Sequence, residues 1–147
     1  MSNTLAQQRS AFALTEVRHL RGNRRDFAKF VAGLPAMILQ NGFAQALAFL
    51  LAKGTDKNGK PNHGDKHLQA FDIIVRWFND RDIVKQTEHR QVMAALSEMP
   101  QGDYLRAQDE ALALLEWVKR YANAGLFSDQ VGGHNETQDD RSAQTGF

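Results

Sequence analysis

The chain has 147 residues, no cysteine, 24% charged side chains and a formal net charge of +1. That length suits one domain with its own core, and the lack of cysteine excludes disulfides, thiolate metal sites and cysteine nucleophiles, in keeping with a reducing cytoplasmic setting. The near-neutral total hides an asymmetry: residues 127–147 hold Asp129, Glu136, Asp139 and Asp140 against Arg141 alone, which leaves the preceding body mildly basic and compatible with an anionic partner.

Leu5, Phe12 and Leu14 are separated by polar residues, so no signal peptide is expected and the chain should stay in the cytoplasm. Thr4 and Gln7 have the spacing of a capping box, and Leu5, Phe12, Ala13, Val17 and Leu20 repeat with the period of a helix face. This first helix is expected to end at Arg21, with Gly22-Asn23 as its stop. A second helix then begins at Arg24 and runs to Val31 on a stripe of Phe27, Phe30 and Val31, with Gly33 and Pro35 separating it from the next apolar segment.

Leu34 to Lys53 is the most apolar stretch. Pro35 suits a first helical turn, Asn41-Gly42 breaks the helix, and Phe43, Ala46, Leu47, Leu50 and Leu51 resume helical spacing in another. Pro35, Gln40, Asn41, Gly42 and Gln45 interrupt it too often for a membrane span. It reads as the buried centre of a helical domain.

Gly54 to Asp65 contains Asn58-Gly59, Pro61 and Gly64 and almost nothing apolar, so it reads as a long, wet loop. Asp65 caps a further helix whose stripe of Leu68, Phe71, Ile74, Val75 and Phe78 is widened by Ile73 and Trp77, which implies burial on more than one side. Asn79 to Asp82 is a connection. Thr87 is then expected to cap a helix that faces Val92, Met93, Leu96 and Met99 inward as far as Pro100. Gln101-Gly102-Asp103 serves as turn and cap for the longest helix, Tyr104 to about Leu126, in which Glu116 can pair with Arg120. The expected architecture is all-α: a compact bundle of five or six helices over residues 1–127, followed over 128–147 by a disordered acidic tail too poor in apolar residues to offset its ordering entropy.

Chemistry-bearing residues are scattered. His63 and His67 have metal-ligand spacing, but Gly64-Asp65 between them starts a helix, so the pair should diverge and no metal is expected. His19, His63, His67 and His89 are the candidates for an acid-base ribonuclease, yet they occupy unrelated positions. Asp80 with Asp82, and Asp109 with Glu110, fit a polar connection and a solvated helix face better than a catalytic carboxylate pair. No catalytic residue and no cofactor is therefore assigned. Trp77, Tyr104, Trp117 and Tyr121 lie in amphipathic helices and are assigned to core packing rather than to base stacking. More informative are Arg18, Arg21, Arg24, Arg25 and Lys29, five cations within twelve residues that contain one acid, Asp26. They form a positive corner suited to sequence-independent contact with a nucleic-acid backbone.

The order of motifs resembles the small helical subunit of the Cmr-type (type III-B) CRISPR effector complex. The matching stretches are T-L-A-Q-Q-R-S-A-F-A near the start, L-P-A-M-I-L-Q-N-G-F-A-Q-A-L-A-F-L-L in the centre and E-A-L-A-L-L-E-W-V-K-R-Y-A at the end, spanning roughly residues 4 to 126. The resemblance implies a subunit without catalytic activity of its own, stacked end to end with further copies beside the backbone and large subunits, its basic face lining the channel for target RNA. By that analogy Arg21, Arg24, Arg25, Lys29, Lys119 and Arg120 are the expected phosphate contacts. The rival readings are a small ribonuclease using His and Lys, and a helical adaptor that binds protein and never touches RNA.

Overall fold

A computed structural model describes residues 2–124. Among the described residues there are six helices: α1 (Leu5–Arg18), α2 (Arg24–Asn41), α3 (Phe43–Gly54), α4 (Lys66–Asp80), α5 (His89–Glu98) and α6 (Gln101–Ala122). The all-α expectation holds. No helix among the described residues is long and apolar enough to cross a membrane. The expected tail over 128–147 lies outside the described residues.

The capping box forms as its spacing predicts, with the Gln7 N–H donating to Thr4 Oγ1 at 3.1 Å and the Thr4 N–H to Gln7 Oε1 at 2.8 Å. α1 stops at Arg18 rather than Arg21, because the Arg24 guanidinium donates to the terminal carbonyls of Val17 (2.9 Å) and Arg18 (3.0 Å) and closes the helix there. The expected break at Gly33 and Pro35 does not occur. α2 runs unbroken through Pro35, although Pro35 has no N–H to donate to the Val31 carbonyl. An interior proline costs about 3 kcal/mol, whereas each fully buried large apolar side chain stabilises by about 1.5–3 kcal/mol. Phe27, Val31, Leu34 and Ile38 lie on one face of α2 and are at most 1% exposed, so burial of the continuous helix wins.

Gly42 does end α2, with φ +94° and ψ 150°, a conformation open to glycine and strained for other residues. It supplies no side-chain cap to α3; instead the Tyr104 hydroxyl, from the start of α6, accepts from the Ala44 N–H at 2.8 Å. At its other end α3 closes on α4 so tightly that a Cβ on Gly54 would stand 2.6 Å from Leu68 Cβ and 2.9 Å from the Leu68 nitrogen. The loop after Gly54 is wet, as expected, and also internally bonded. The Asp56 carboxylate accepts from the Asn58 and Lys60 N–H groups, and Thr55 and Pro61 form an antiparallel bridge.

Two start sites differ from expectation. Glu88, not Thr87, caps α5, its carboxylate accepting from the Arg90 and Gln91 N–H groups, because a charged acceptor at a helix N-terminus also meets the positive end of the dipole. Those bonds, Arg90's first, hold the Glu88 carboxyl below its usual range. Gln101-Gly102-Asp103 is the first turn of α6 and not a connection. Pro100 stands at the N-cap, where its missing N–H forfeits nothing, and Asp103 meets the positive end of the dipole. α6 ends at Ala122, short of Leu126.

α6 packs along α1 and α2, while α4 packs on α3, α2 and α6. The broad stripe of α4 is accordingly covered: Phe71, Ile73, Ile74, Val75, Trp77 and Phe78 are buried in one continuous core, and Leu68 is fully buried as well.

Candidate nucleic-acid interface

The basic residues at the start of α2 sit where three chain segments meet. Asn23 caps α2 by accepting from the Asp26 N–H at 2.9 Å, which sets Arg24, Arg25 and Asp26 in its first turn. Arg25 and Lys29, four apart on one helix face, are exposed. Asn123, at the C-cap of α6, donates to the Ala28 carbonyl at 3.2 Å, and this bond brings the last turn of α6 against the first turns of α2. Lys119 and Arg120, nearly a hundred residues away in sequence, lie within one helical turn of Asn123, and Lys29 adjoins Ala28, so cations of α6 and α2 flank this contact.

The six candidates are not equivalent. Arg24 spends its guanidinium on the α1 carbonyls. Lys119 pairs with Glu116 at 3.3 Å, so the expected Glu116–Arg120 pair does not form. Lys29 and Arg120 are exposed and make no hydrogen bond or ion pair within residues 2–124. Arg21 is held by its backbone: its N–H donates to Gln69 Oε1 at 2.7 Å, and Gln69 Nε2 donates back to the Arg21 carbonyl at 2.7 Å. Gln69 is the buried polar residue of α4, 9% exposed and flanked along the chain by the buried Leu68, Ala70 and Phe71. A glutamine there was the available signal of a clamp, since a buried amide needs partners.

The histidines separate into two kinds. His67 belongs to α4, bonds Asp65 at 3.0 Å and lies against the rings of Phe30 and Phe49, while His89 bonds Asp72 at 3.0 Å. His63 stays in the loop before α4, outside the helix that carries His67. His63 and His19, unrelated in sequence, line one cleft between the end of α1, the α1–α2 connection and α4.

Glu110 departs from the expectation of a solvated helix face. Its side chain is 13% exposed and accepts from Arg9 Nε at 2.6 Å, from Arg9 Nη2 at 2.9 Å and from Trp77 Nε1 at 2.9 Å. It ties α1, α4 and α6 together. Trp77 is fully buried, but Trp117 reaches the core only at its edge, beside a shallow apolar groove with Ala6, Ala11 and Leu14.

Comparison with known proteins agrees with this architecture. Residues 5–125 match the family model described as CRISPR-associated protein (Cas_Cmr5). Two curated relatives are each named CRISPR system Cmr subunit Cmr5. The one from Thermus thermophilus is 34% identical over 104 residues, 71% of this chain and 75% of the relative. The other, from Thermotoga maritima, is 29% identical over 135 residues, 91% of each chain. The crystal structure of a CRISPR-associated Cmr5 family protein, also from Thermus thermophilus, superposes with a TM-score of 0.63 at 26% identity, covering 82% of this chain and 96% of that one. A match running from the capping box of α1 to the end of α6, with the helical fold shared, shows that the chain belongs to the Cmr5 family of CRISPR-associated proteins.

Proposed function

We propose that this chain is a non-catalytic small subunit of a Cmr-type (type III-B) CRISPR effector complex. It works in the cytoplasm beside the backbone and large subunits, and copies of it stack end to end so that their basic ends line the channel for target RNA. The observation that carries the reading is the family match over residues 5–125. The distribution of surface supports it. Leu39 (67% exposed) and Leu105 (46% exposed) lie where α2 gives way to α3 and α6 begins, remote from the basic end, and offer a neighbouring subunit apolar area without covering the cations. Arginine and lysine at the basic end would hold the target backbone, while base pairing with the guide supplies sequence selectivity.

The test is target capture by the assembled complex. Reversing charge at Lys29 and Arg120, which make no hydrogen bond or ion pair within residues 2–124, should weaken capture in a filter-binding assay while leaving the free chain folded. Unchanged capture would count against this face. Arg24 is the wrong residue for that experiment, since its reversal would also uncap α1. One observation favours a second reading, a metal-independent ribonuclease: His19 and His63 share a cleft. Incubating the purified chain with labelled RNA separates the two, because only the ribonuclease cuts unaided. If RNA fails to crosslink to this chain within the complex, the adaptor reading stands instead.

A further inference from the structure

The cleft that holds His19 and His63 has a volume of about 310 Å³, at the small end of ligand pockets, which span roughly 300–1,000 Å³. Its walls carry Glu16, His19, Arg21, His63, Asp72 and Arg76 around Leu20, Gln69 and Ile73. The carboxylates are already engaged: Glu16 by Arg76 at 2.6 Å and Asp72 by His89 at 3.0 Å. Several donors are not. The Arg21 guanidinium and the His63 ring have no partner within residues 2–124, Arg76 keeps Nη1 unused, and His19 keeps Nε2 unused while its Nδ1 bonds the Thr15 carbonyl at 2.8 Å. The negative end of the α1 dipole, which would repel an anion, is covered by the Arg24 guanidinium.

The two loops that present Arg21 and His63 are locked together. Gln69 grips the Arg21 backbone on both sides and also donates to the Gly64 carbonyl at 3.4 Å. Gly22, with φ +73°, lies so close to Gly64 that a Cβ would stand 2.5 Å from the Gly64 carbonyl oxygen. Unpaired donors on a braced backbone are what recognition of a phosphate requires, because the ordering is done before the ligand arrives.

Resting on the reading of this end as an RNA surface, we propose that the cleft is a phosphate-recognising subsite that takes one backbone phosphodiester of a single RNA strand, with Arg21 and His63 as its ligands and Gln69 as the residue that positions them. The experiment follows the His19 and His63 ring signals and the amides of residues 20–22, 64 and 69 by NMR, in the full chain, during titration with inorganic phosphate, adenosine monophosphate and a short single-stranded RNA. All three should give saturable shifts confined to this cleft. Arg21→Ala should weaken each at least tenfold and Arg21→Lys less so, since a lysine keeps the charge and loses the fork. Lys85→Ala, on an exposed loop elsewhere, should change nothing. His63→Ala gives a second reading that leaves the Gln69 clamp whole. Shifts spread over the surface, an unaltered response in Arg21→Ala, saturation by the mononucleotide but not by RNA, or cleavage of the RNA would each overturn the proposal. The free chain is used throughout, so a negative result here leaves membership of the complex standing, and failure of the chain to enter the complex leaves a positive result here intact.

Discussion

Glu110 shows how much one side chain can hold. It accepts two bonds from Arg9 and one from the Trp77 indole, at 13% exposure, so neither a solvated charge nor a bare helix position describes it. The Arg9 hydrogen bond is the main reason its carboxyl titrates below the ordinary 4.5; burial works against that, and the Trp77 bond adds to it. A carboxyl lowered in the folded state lends stability that is complete above its unfolded value and is lost as pH falls through the folded one. Unfolding in urea should therefore show an acid limb beginning near pH 4.5. Glu110→Gln should lower stability at pH 7 by about 1.5–3 kcal/mol, the range for a hydrogen bond to a charged group, and should flatten that limb. An unchanged acid limb in Glu110→Gln would assign it to other carboxylates. Asp109-Glu110 looked like solvated surface because helical periodicity reports the side a residue faces and says nothing of a guanidinium arriving from a helix about a hundred residues earlier.

At the scale of elements, the two informative positions are those where chain-local rules and packing disagree. By local criteria Pro35 opens a helix or interrupts one and does not sit in its interior, yet α2 passes through it. Pro35→Ala restores an N–H facing the Val31 carbonyl and should stabilise the protein. The gain should approach about 3 kcal/mol less the 0.4–1 kcal/mol of unfolded-state entropy that proline removes, measured as a higher urea midpoint with an unchanged m-value. Gly54 is the opposite case, a glycine that looks like a loop residue and is in fact a contact surface. Gly54→Ala puts a methyl group against Leu68 Cβ and backbone, and should cost about 1–3 kcal/mol, the range for overpacking. Neutrality would mean that α3 and α4 slide apart without penalty.

Across the whole molecule, the bond between Asn123 and the Ala28 carbonyl has the largest consequence, since cations of α2 and α6 flank it. If Lys29 and Arg120 each neutralise one phosphate of single-stranded RNA, removing both should make the log-log salt dependence of target binding shallower by about 1.4, at about 0.7 per contact. Binding measured between about 50 and 300 mM salt on assembled complexes carrying Lys29→Ala and Arg120→Ala checks this. A parallel line displaced to weaker binding would show that the residues act through the fold and not by direct charge neutralisation.

The sequence by itself determined the helical class, the caps at Thr4 and Asp65, the break at Gly42, the buried face of α4 and the family, because these depend on periodicity, on local backbone chemistry and on motif order within short windows. It also marked the positive corner between α1 and α2. Only the tertiary structure decided that α2 is continuous, that Glu110 is a junction of three helices, that Arg24 is occupied while Lys29 and Arg120 make no hydrogen bond or ion pair within residues 2–124, and that His19 and His63 share a cleft braced by Gln69. Each of those depends on which distant side chain arrives at a given atom, and that is set by how the helices pack and not by any spacing along the chain.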